Sequence, residues 1–513
     1  MQSGVITGSK VGITAVVMIA AVMAMIDITI VNVALSDIRA SFGTPLDQIG
    51  WVSTGYMMAN IVVIPMTGWF QRRFGYRRYF AASILLFTAA SVLCGLAWSL
   101  PSLVIFRVIQ GLGGGAIIPT AQSLLFARYP KREHGMAAGL FGLGAITGPL
   151  LGPTIGGYLI GWSSWHLIFL VNLPIGLLAA FLALRHVEEP GFVPDEGPVD
   201  FAGIALLAVG MASLQYVLEE GNREGWSESP LIVALAVVSA IALVTFVVHE
   251  LETPSPVVDL TVFANRTYAA GTGINLLTGL VLFGGSFLFS LFCGAVLRQS
   301  ALDTGEVFLA AGSVSVIMMP LVGRMAPKVD GRYLLFIGVA VVVASQIVAS
   351  HLTGDVSFWD QVKPNMIRSF GLGFVFIPVS VLALSDISPE KRGNATGLFN
   401  LTRELGGSIG TAVMGMLVTD GIKERSSYLA EHVSSYDSVA QDQQAMLRAG
   451  VGSQTYTPDG VAERILQLKV TKQAMILSFE DGFRIVAAAM ALGIVLVLLL
   501  RKPKAGVEVQ GAH

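Results

Sequence analysis

Charge is what this sequence is short of. Only 13% of its 513 residues are Asp, Glu, Lys or Arg, about half the ~25% found in soluble domains. So few charges do not cover a water-facing surface, and a soluble globular protein is excluded. The 32 basic and 34 acidic residues leave a net charge of −2, so nothing electrostatic points to nucleic acid. The two cysteines, Cys94 and Cys293, both lie inside apolar stretches and build no disulfide framework. The seven histidines are scattered, with no pair at metal-ligand spacing, so no metal is expected. The first apolar stretch has no small-residue exit and a core too long for a cleaved signal, so it reads as a retained first span.

What the chain has is apolar length. Hydrophobic residues make up 54% of it, and the mean hydropathy is +0.70. A bilayer core ~30 Å thick takes about 20 such residues per helix. Stretches of that kind recur about fourteen times, from 11–35 and 50–70 through 136–160 to 393–418 and 482–500. They are far longer than the ~10-residue alternating strands of a membrane barrel. The expected fold class is therefore an all-α integral membrane protein.

The basic residues gather in alternate loops. Arg72, Arg73, Arg77 and Arg78 follow the second span, and Arg128, Lys131 and Arg132 follow the fourth. Arg324, Lys328 and Arg332 follow the tenth, Lys391 and Arg392 the twelfth, and Arg501, Lys502 and Lys504 the last. With the positive residues inside, all these loops and both termini are cytoplasmic.

The chain also repeats itself. "GMAAGLFGL" at 135–143 returns as "GNATGLFNL" at 393–401. At the same offset Gly148 meets Gly406, Gly152 meets Gly410 and Gly157 meets Gly415. "PMTGWFQRRFGYRRYF" at 65–80 returns as "PLVGRMAPKVDGRYLLF" at 320–336. Internal repeats of this kind build transporters, with the substrate site at the repeat interface near the midplane. The expected organisation is an N-terminal six-helix half (1–190), two inserted spans (191–260) and a C-terminal six-helix half (261–513). Within the last, residues 419–475 read as a polar segment outside the membrane, solvated or docking a partner. Its second part reads as a helix, with Thr457 as N-cap and Pro458 at the first position.

Several charges lie where only lipid-soluble residues belong. Asp27 interrupts the first span and Arg107 the fourth, at matching depths by a rise of 1.5 Å per residue. An intramembrane charge is costly, usually paired, and a functional candidate. The pair is either a static structural bridge or the proton-coupling site, with Asp27 as carrier. Alternate exposure to water and to a cation would let it load and release a proton. Arg403 and Glu404 in the thirteenth span are either a structural pair or part of the coupling. Glu306 either sits at the water boundary or joins them. Arg368 is either interfacial or turned inward. "GLGGG" after Gln110 lacks the Lys-Ser/Thr and the strand of a phosphate loop, so that reading is rejected.

Two further patterns stand out. "GWFQRRFGYRRYF" places Gly68, Arg72, Arg73, Gly75 and Arg77 in a tight loop, read as a cytoplasmic gate or as topology alone. "GLFGLGAITGPLLGPTIGG" puts Gly139, Gly148, Gly152, Pro153, Gly156 and Gly157 on one helix, where small residues allow close packing and Pro153 opens the backbone ladder.

Together these motifs resemble those of the major facilitator superfamily. "GWFQRRFGYRR" is similar to its loop between helices two and three. The spacing G-x8-G-x3-G-P-x2-G-G is similar to its antiporter signature, and "FRVIQG" to its span-four motif. "DITIVNVAL" resembles the span-one motif of the fourteen-helix drug:proton antiporters. "HLIFLVNLPIG", "PVVDLTVF" and "NLTRELGGSIGTAV" extend the resemblance to pumps of three-part Gram-negative efflux systems. One departure is Gln71, where the family's loop carries an acid. The resemblance implies two six-helix repeats plus two inserted helices, in the bacterial inner membrane. It implies proton-driven export of hydrophobic or amphipathic drugs, with no cofactor. A periplasmic adaptor like EmrA and an outer-membrane channel like TolC would be partners. Spans one, four, nine and twelve would line the cavity, with Asn32, Tyr56, Asn60, Gln110, Asn275 and Arg368 as polar candidates. The alternative is a stand-alone exporter of a specific metabolite or lipid. A membrane-embedded enzyme would want His or Asp clusters at the membrane surface, and the sequence offers none.

Overall fold

The computed structural model describes residues 8–432 and 458–500, together with residues 6 and 446. Fourteen long helices occur among the described residues. The first six are α1 (Lys10–Phe42), α2 (Trp51–Phe74), α3 (Tyr76–Gly95), α4 (Leu100–Arg128), α5 (His134–Trp162) and α6 (Leu167–His186). Then come α7 (Phe201–Glu224) and α8 (Pro230–Glu252). The last six are α9 (Arg266–Ala295), α10 (Ala301–Met325), α11 (Gly331–Ala349), α12 (Phe358–Ser385), α13 (Arg392–His432) and α14 (Pro458–Leu499).

Local chemistry sets several of their ends. The Ser9 side chain accepts from Gly12 N to open α1, and Gly43, at φ 61°, turns the chain out of it. Ser99 and Ser102 form a capping box before α4, with Pro101 in the first turn. Gly75, at φ 79°, makes the corner between α2 and α3. The Glu189 carboxylate then accepts from Tyr76 N and Arg77 N at 2.9 Å each and closes the start of α3.

Twelve described helices are long and apolar enough to cross a membrane. The other two are α2, of 24 residues, and α5, of 29. They are helical where spans 50–70 and 136–160 are expected. Composition thus supports twelve crossings, and fourteen remains the sequence expectation.

The helices pack as two groups that meet chiefly along α5 and α13. α5 lies against α1 on its own side and against α10 and α12 across the molecule. α13 lies against α9 and α14 on its side and against α2 and α4 across. The pair α7–α8 sits outside this arrangement, yet α7 touches both groups. Thr54 Oγ1 of α2 donates to Glu220 at 3.3 Å, and Asn222 Nδ2 donates to Ala412 O of α13 at 2.9 Å.

Contact between the groups is tightest at the end that carries the basic loops. A Cβ on Gly68 would overlap the Asn394 backbone, and one on Gly135 would fall 2.7 Å from Gly323 O. Asn400 Nδ2 donates to Gln122 Oε1 at 2.6 Å, and Arg392 donates to Phe126 O at 3.3 Å. Toward the opposite end the groups part around a cavity.

The outer segment differs from the sequence reading. The chain does not leave the helix at Thr419. α13 runs 41 residues without a break to His432, and the helix begun at Pro458 continues through the last span as one 42-residue α14. At 1.5 Å per residue each is about 60 Å long, roughly twice the bilayer core. Polar composition hid the continuity, because a helix outside lipid needs no apolar run. Arg425 pairs with Asp481 where the two lie side by side. Thr457 and the middle of the expected polar segment, residues 433–457 apart from 446, lie outside the described residues.

Candidate functional site

Asp27 is fully buried on α1. Arg107 and Gln110 stand three residues apart on α4 and therefore share a face. Arg107 Nη1 donates to Asp27 Oδ2 at 2.7 Å, and Gln110 Nε2 donates to Asp27 Oδ1 at 2.9 Å. A third donor comes from α6, where Asn172 Nδ2 reaches the same Oδ1 at 2.8 Å. The donors are held in turn. Arg107 Nη1 also donates to Gln110 Oε1 at 2.9 Å, and its Nε to Val52 O at 3.1 Å. Asn172 also donates to Ser91 Oγ at 3.0 Å, and Ser91 to Phe169 O at 2.9 Å. The Tyr56 ring lies 4.1 Å below the guanidinium. Side chains from α1, α2, α3, α4 and α6 thus converge on one ion pair, and both charges are neutralised locally. Sequence reading missed Asn172 and Ser91. The signal for Asn172 was an amide inside an apolar span. Its partner became visible only when α6 packed on α1.

The large cavity has a volume of about 690 Å³. α1 supplies Met25, Thr29, Asn32 and Val33 to its wall, and α9, α10, α12 and α13 supply the rest together with Gln299 of the α9–α10 connection. α9 passes here through a π turn at Leu280–Gly284, and Leu282 and Phe283 of that turn line the cavity. Of the six expected polar lining residues, Asn32 and Arg368 stand in this wall. Tyr56 and Asn60 line a cavity of about 20 Å³ with Asn400 and Glu404. Gln110 is committed to Asp27, and Asn275 donates to Phe399 O at 2.6 Å, tying α9 to α13. Both are therefore interface residues in this conformation rather than wall residues. α4 faces only the small cavity, through Gly114, Gly115 and Ile118. α10 and α13 complete the large one in its place.

Arg403 and Glu404 both reach the large cavity, and Glu404 is the acid it holds in common with the small one. Their closest N–O approach is 3.8 Å, and Arg403 Nη2 also donates to Asn400 Oδ1 at 2.9 Å. Glu306 lies on α10, exposed and outside the cavity lining. The structure therefore brings Asp27, Arg107 and Gln110 into one cluster, and places Arg368 in the wall of the same large cavity as the Arg403–Glu404 pair. Glu306 joins neither.

The glycines of α5 explain their own spacing. A Cβ on Gly148 would overlap Met25, one on Gly152 would overlap Thr29, and one on Gly156 would come 2.8 Å from Ile30. These three form the groove that receives α1, and Thr29 Oγ1 donates to Gly148 O at 3.2 Å across it. Gly139 faces the other way, toward Met319 O of α10 at 2.9 Å. Gly157 meets nothing within 4 Å. Pro153 lies inside the unbroken helix α5.

In the loop motif, Arg73 Nη1 donates to the Asp195 and Gly197 carbonyls at 2.7 Å each, and Arg72 approaches Asp195 at 3.8 Å. These arginines anchor the chain that leads into α7. Arg77 is exposed. Gly68 touches the other helix group at Asn394. Gln71, where the family carries an acid, is buried beside Gly393 and donates to Thr120 Oγ1 at 3.2 Å.

The chain is similar to known proteins along nearly its whole length. It is 31% identical over 502 residues to the multidrug export protein EmrB of Haemophilus influenzae, covering 98% of this chain and 97% of that one. It is 33% identical over 482 residues to EmrB of Escherichia coli K12, covering 94% and 92%. The human transporter MFSD10 superposes with a TM-score of 0.62 at 12% identity, over 96% of this chain and all of that one, which is a likeness of fold alone. The sequence pattern of the Major Facilitator Superfamily matches residues 17–411, and the chain belongs to that family of transporters.

Proposed function

We propose that this protein is a proton-coupled exporter of hydrophobic or amphipathic compounds in the bacterial inner membrane. One observation carries the coupling part of the reading. A charge pair of opposite sign, Asp27–Arg107, is buried among α1, α4 and α6 of a transporter fold. Sequestering two charges in an apolar interior costs several kcal/mol per ion before their attraction repays it. A merely structural bridge would be replaceable by apolar side chains. Asp27 is the group that would take up a proton, and protonation would release Arg107 and loosen α1 from α4 and α6. The cavity, wide and largely apolar with scattered hydroxyls and amides, suits compounds held by shape and apolar area.

With the basic loops in the cytoplasm and both termini on that side, the cavity opens outward. The long outer arms of α13 and α14 extend beyond the bilayer on the same side. They are where a periplasmic adaptor like EmrA would engage, passing cargo to an outer-membrane channel like TolC. The test uses inverted vesicles with an acid lumen and a hydrophobic fluorescent dye outside. Dye accumulation that stops on adding a protonophore supports proton-coupled export. Accumulation that survives the protonophore overturns it.

A further inference from the structure

Arg368 differs from the other two buried arginines. Arg107 has Asp27, and Arg403 has Asn400 and the neighbouring Glu404. Arg368 is 7% exposed on α12 and stands in the wall of the large cavity. Among the described residues it makes no ion pair and no hydrogen bond, and its charge-related contact is the Phe308 ring, 5.9 Å away. On its other side is an amide, not an acid. Gln346 of α11 and Arg368 Nη1 both lie within 4 Å of where a side chain on Gly285 would stand. Arg403 adds to the same surplus, because its Nη1 is buried without a partner. Among the described residues the cavity wall therefore holds two guanidinium groups and one carboxylate, Glu404. Its apolar part is aromatic and aliphatic, with Phe283, Phe287, Phe308, Leu372 and Phe376.

A guanidinium left in an apolar wall with open donors lacks only an oxyanion, which it binds with two parallel hydrogen bonds. We propose that the large cavity is selective for amphiphiles with an anionic head, a carboxylate or sulfonate held by Arg368. The apolar body of such a ligand lies against the phenylalanines. This rests on the reading of the cavity as the substrate site and adds the class of substrate to it. Cationic amphiphiles meet the same wall as repulsion, with Glu404 already turned toward Arg403. Neutral ones gain the apolar contacts alone.

The matched probes are 8-anilinonaphthalene-1-sulfonate and its unsulfonated counterpart, N-phenyl-1-naphthylamine. Each is titrated by fluorescence into the purified full-length protein in neutral detergent, against a protein-free micelle blank. Wild type is expected to bind the sulfonate the more tightly. Arg368→Gln is expected to weaken the sulfonate about tenfold or more, the scale of a lost charged hydrogen-bonded contact. It should leave the neutral probe within about twofold, which also reports that the cavity is folded. Arg368→Lys should recover part of the loss. Equal affinity for the two probes in wild type, or an unchanged sulfonate affinity in Arg368→Gln, overturns the proposal. Displacement of the sulfonate by dihexanoylphosphatidylglycerol at similar concentration would assign Arg368 to a lipid headgroup and also overturn it. Because no gradient is applied, failed vesicle export with Arg368-dependent binding intact would reject the export reading and leave the anion site standing.

Discussion

Neither Asp27 nor Arg107 would be tolerated in this interior alone. Together, with Gln110 and Asn172, they leave no charge exposed and no carboxylate oxygen without a donor. That makes a structural bridge and a coupling site look alike in a static view, and a double-mutant cycle separates them. Asp27→Asn strands Arg107 and should cost about 3–5 kcal/mol, read as a lower melting temperature. Asp27→Asn with Arg107→Gln removes both charges and should restore most of that stability. Proton-driven export should be lost in both variants. Export that returns in the double variant would show the pair to be scaffolding. A second residue-scale consequence lies at the closed end. His134 begins α5 with its ring against Phe126 and its Nε2 at 3.1 Å from Tyr129 O. Burial first, and then nearby Arg392, lower its pKa from the ordinary 6.5 to about 4. The unfolded chain therefore binds this proton more readily, and stability falls as pH drops from about 6.5 to about 4. The melting temperature of His134→Gln should lose less over that window than wild type. Parallel curves would discount the histidine.

At the scale of the helix, the α5 glycines are not equivalent, although the repeat and the motif treat them alike. Gly152 is pressed on Thr29 of α1 and Gly157 faces open space. Gly152→Leu should therefore push α1 away from α5 and abolish transport while the protein still inserts, because close approach needs small residues. Gly157→Leu should transport within about twofold of wild type, as expected for a substitution away from packed contacts. Equal damage from both would point to a backbone role for the motif rather than to packing. Element existence was legible from apolar length, and the depth match of Asp27 with Arg107 from the helical rise. The cavity wall was not, because a helix with charges such as α13 reads the same whether it faces a partner or a cleft. Nor was the reach of α13 and α14, whose outer arms carry no apolar signal. Those arms make their own prediction. Replacing 425–470 with a short flexible linker should weaken crosslinking to a periplasmic adaptor while vesicle transport continues. Normal crosslinking with lost transport would make the arms part of the gate.

For the molecule as a whole, the relevant fact is an asymmetry between its two ends. At the basic-loop end the helix groups interlock at Gly68, Asn394, Gly135 and Gly323, with almost no room for a side chain. At the other end they stand apart around about 690 Å³. The sequence supplied the repeat that produces two similar groups, but repeats are silent on which end is closed. That depends on differences too small to read in one-dimensional form, such as Asn394 seated on Gly68. A transporter of this family works by exchanging the closed and open ends, so the structure describes one of at least two states. Orientation and state are tested together by cysteine labelling in intact cells, with Cys94 and Cys293 replaced by alanine. Asn32→Cys, exposed in the cavity wall, should react quickly with a membrane-impermeant maleimide added outside. Asn394→Cys, buried at the closed end, should react slowly from outside and from inside. Addition of transported compound should raise labelling at position 394 in cytoplasm-side-out vesicles and lower labelling at position 32 in intact cells, because bound cargo shifts the population only if it prefers one state. Fast labelling at 394 from outside, with none at 32, would invert the assigned topology. Labelling that never responds to cargo would mean that the cavity is not the site whose occupancy drives the exchange.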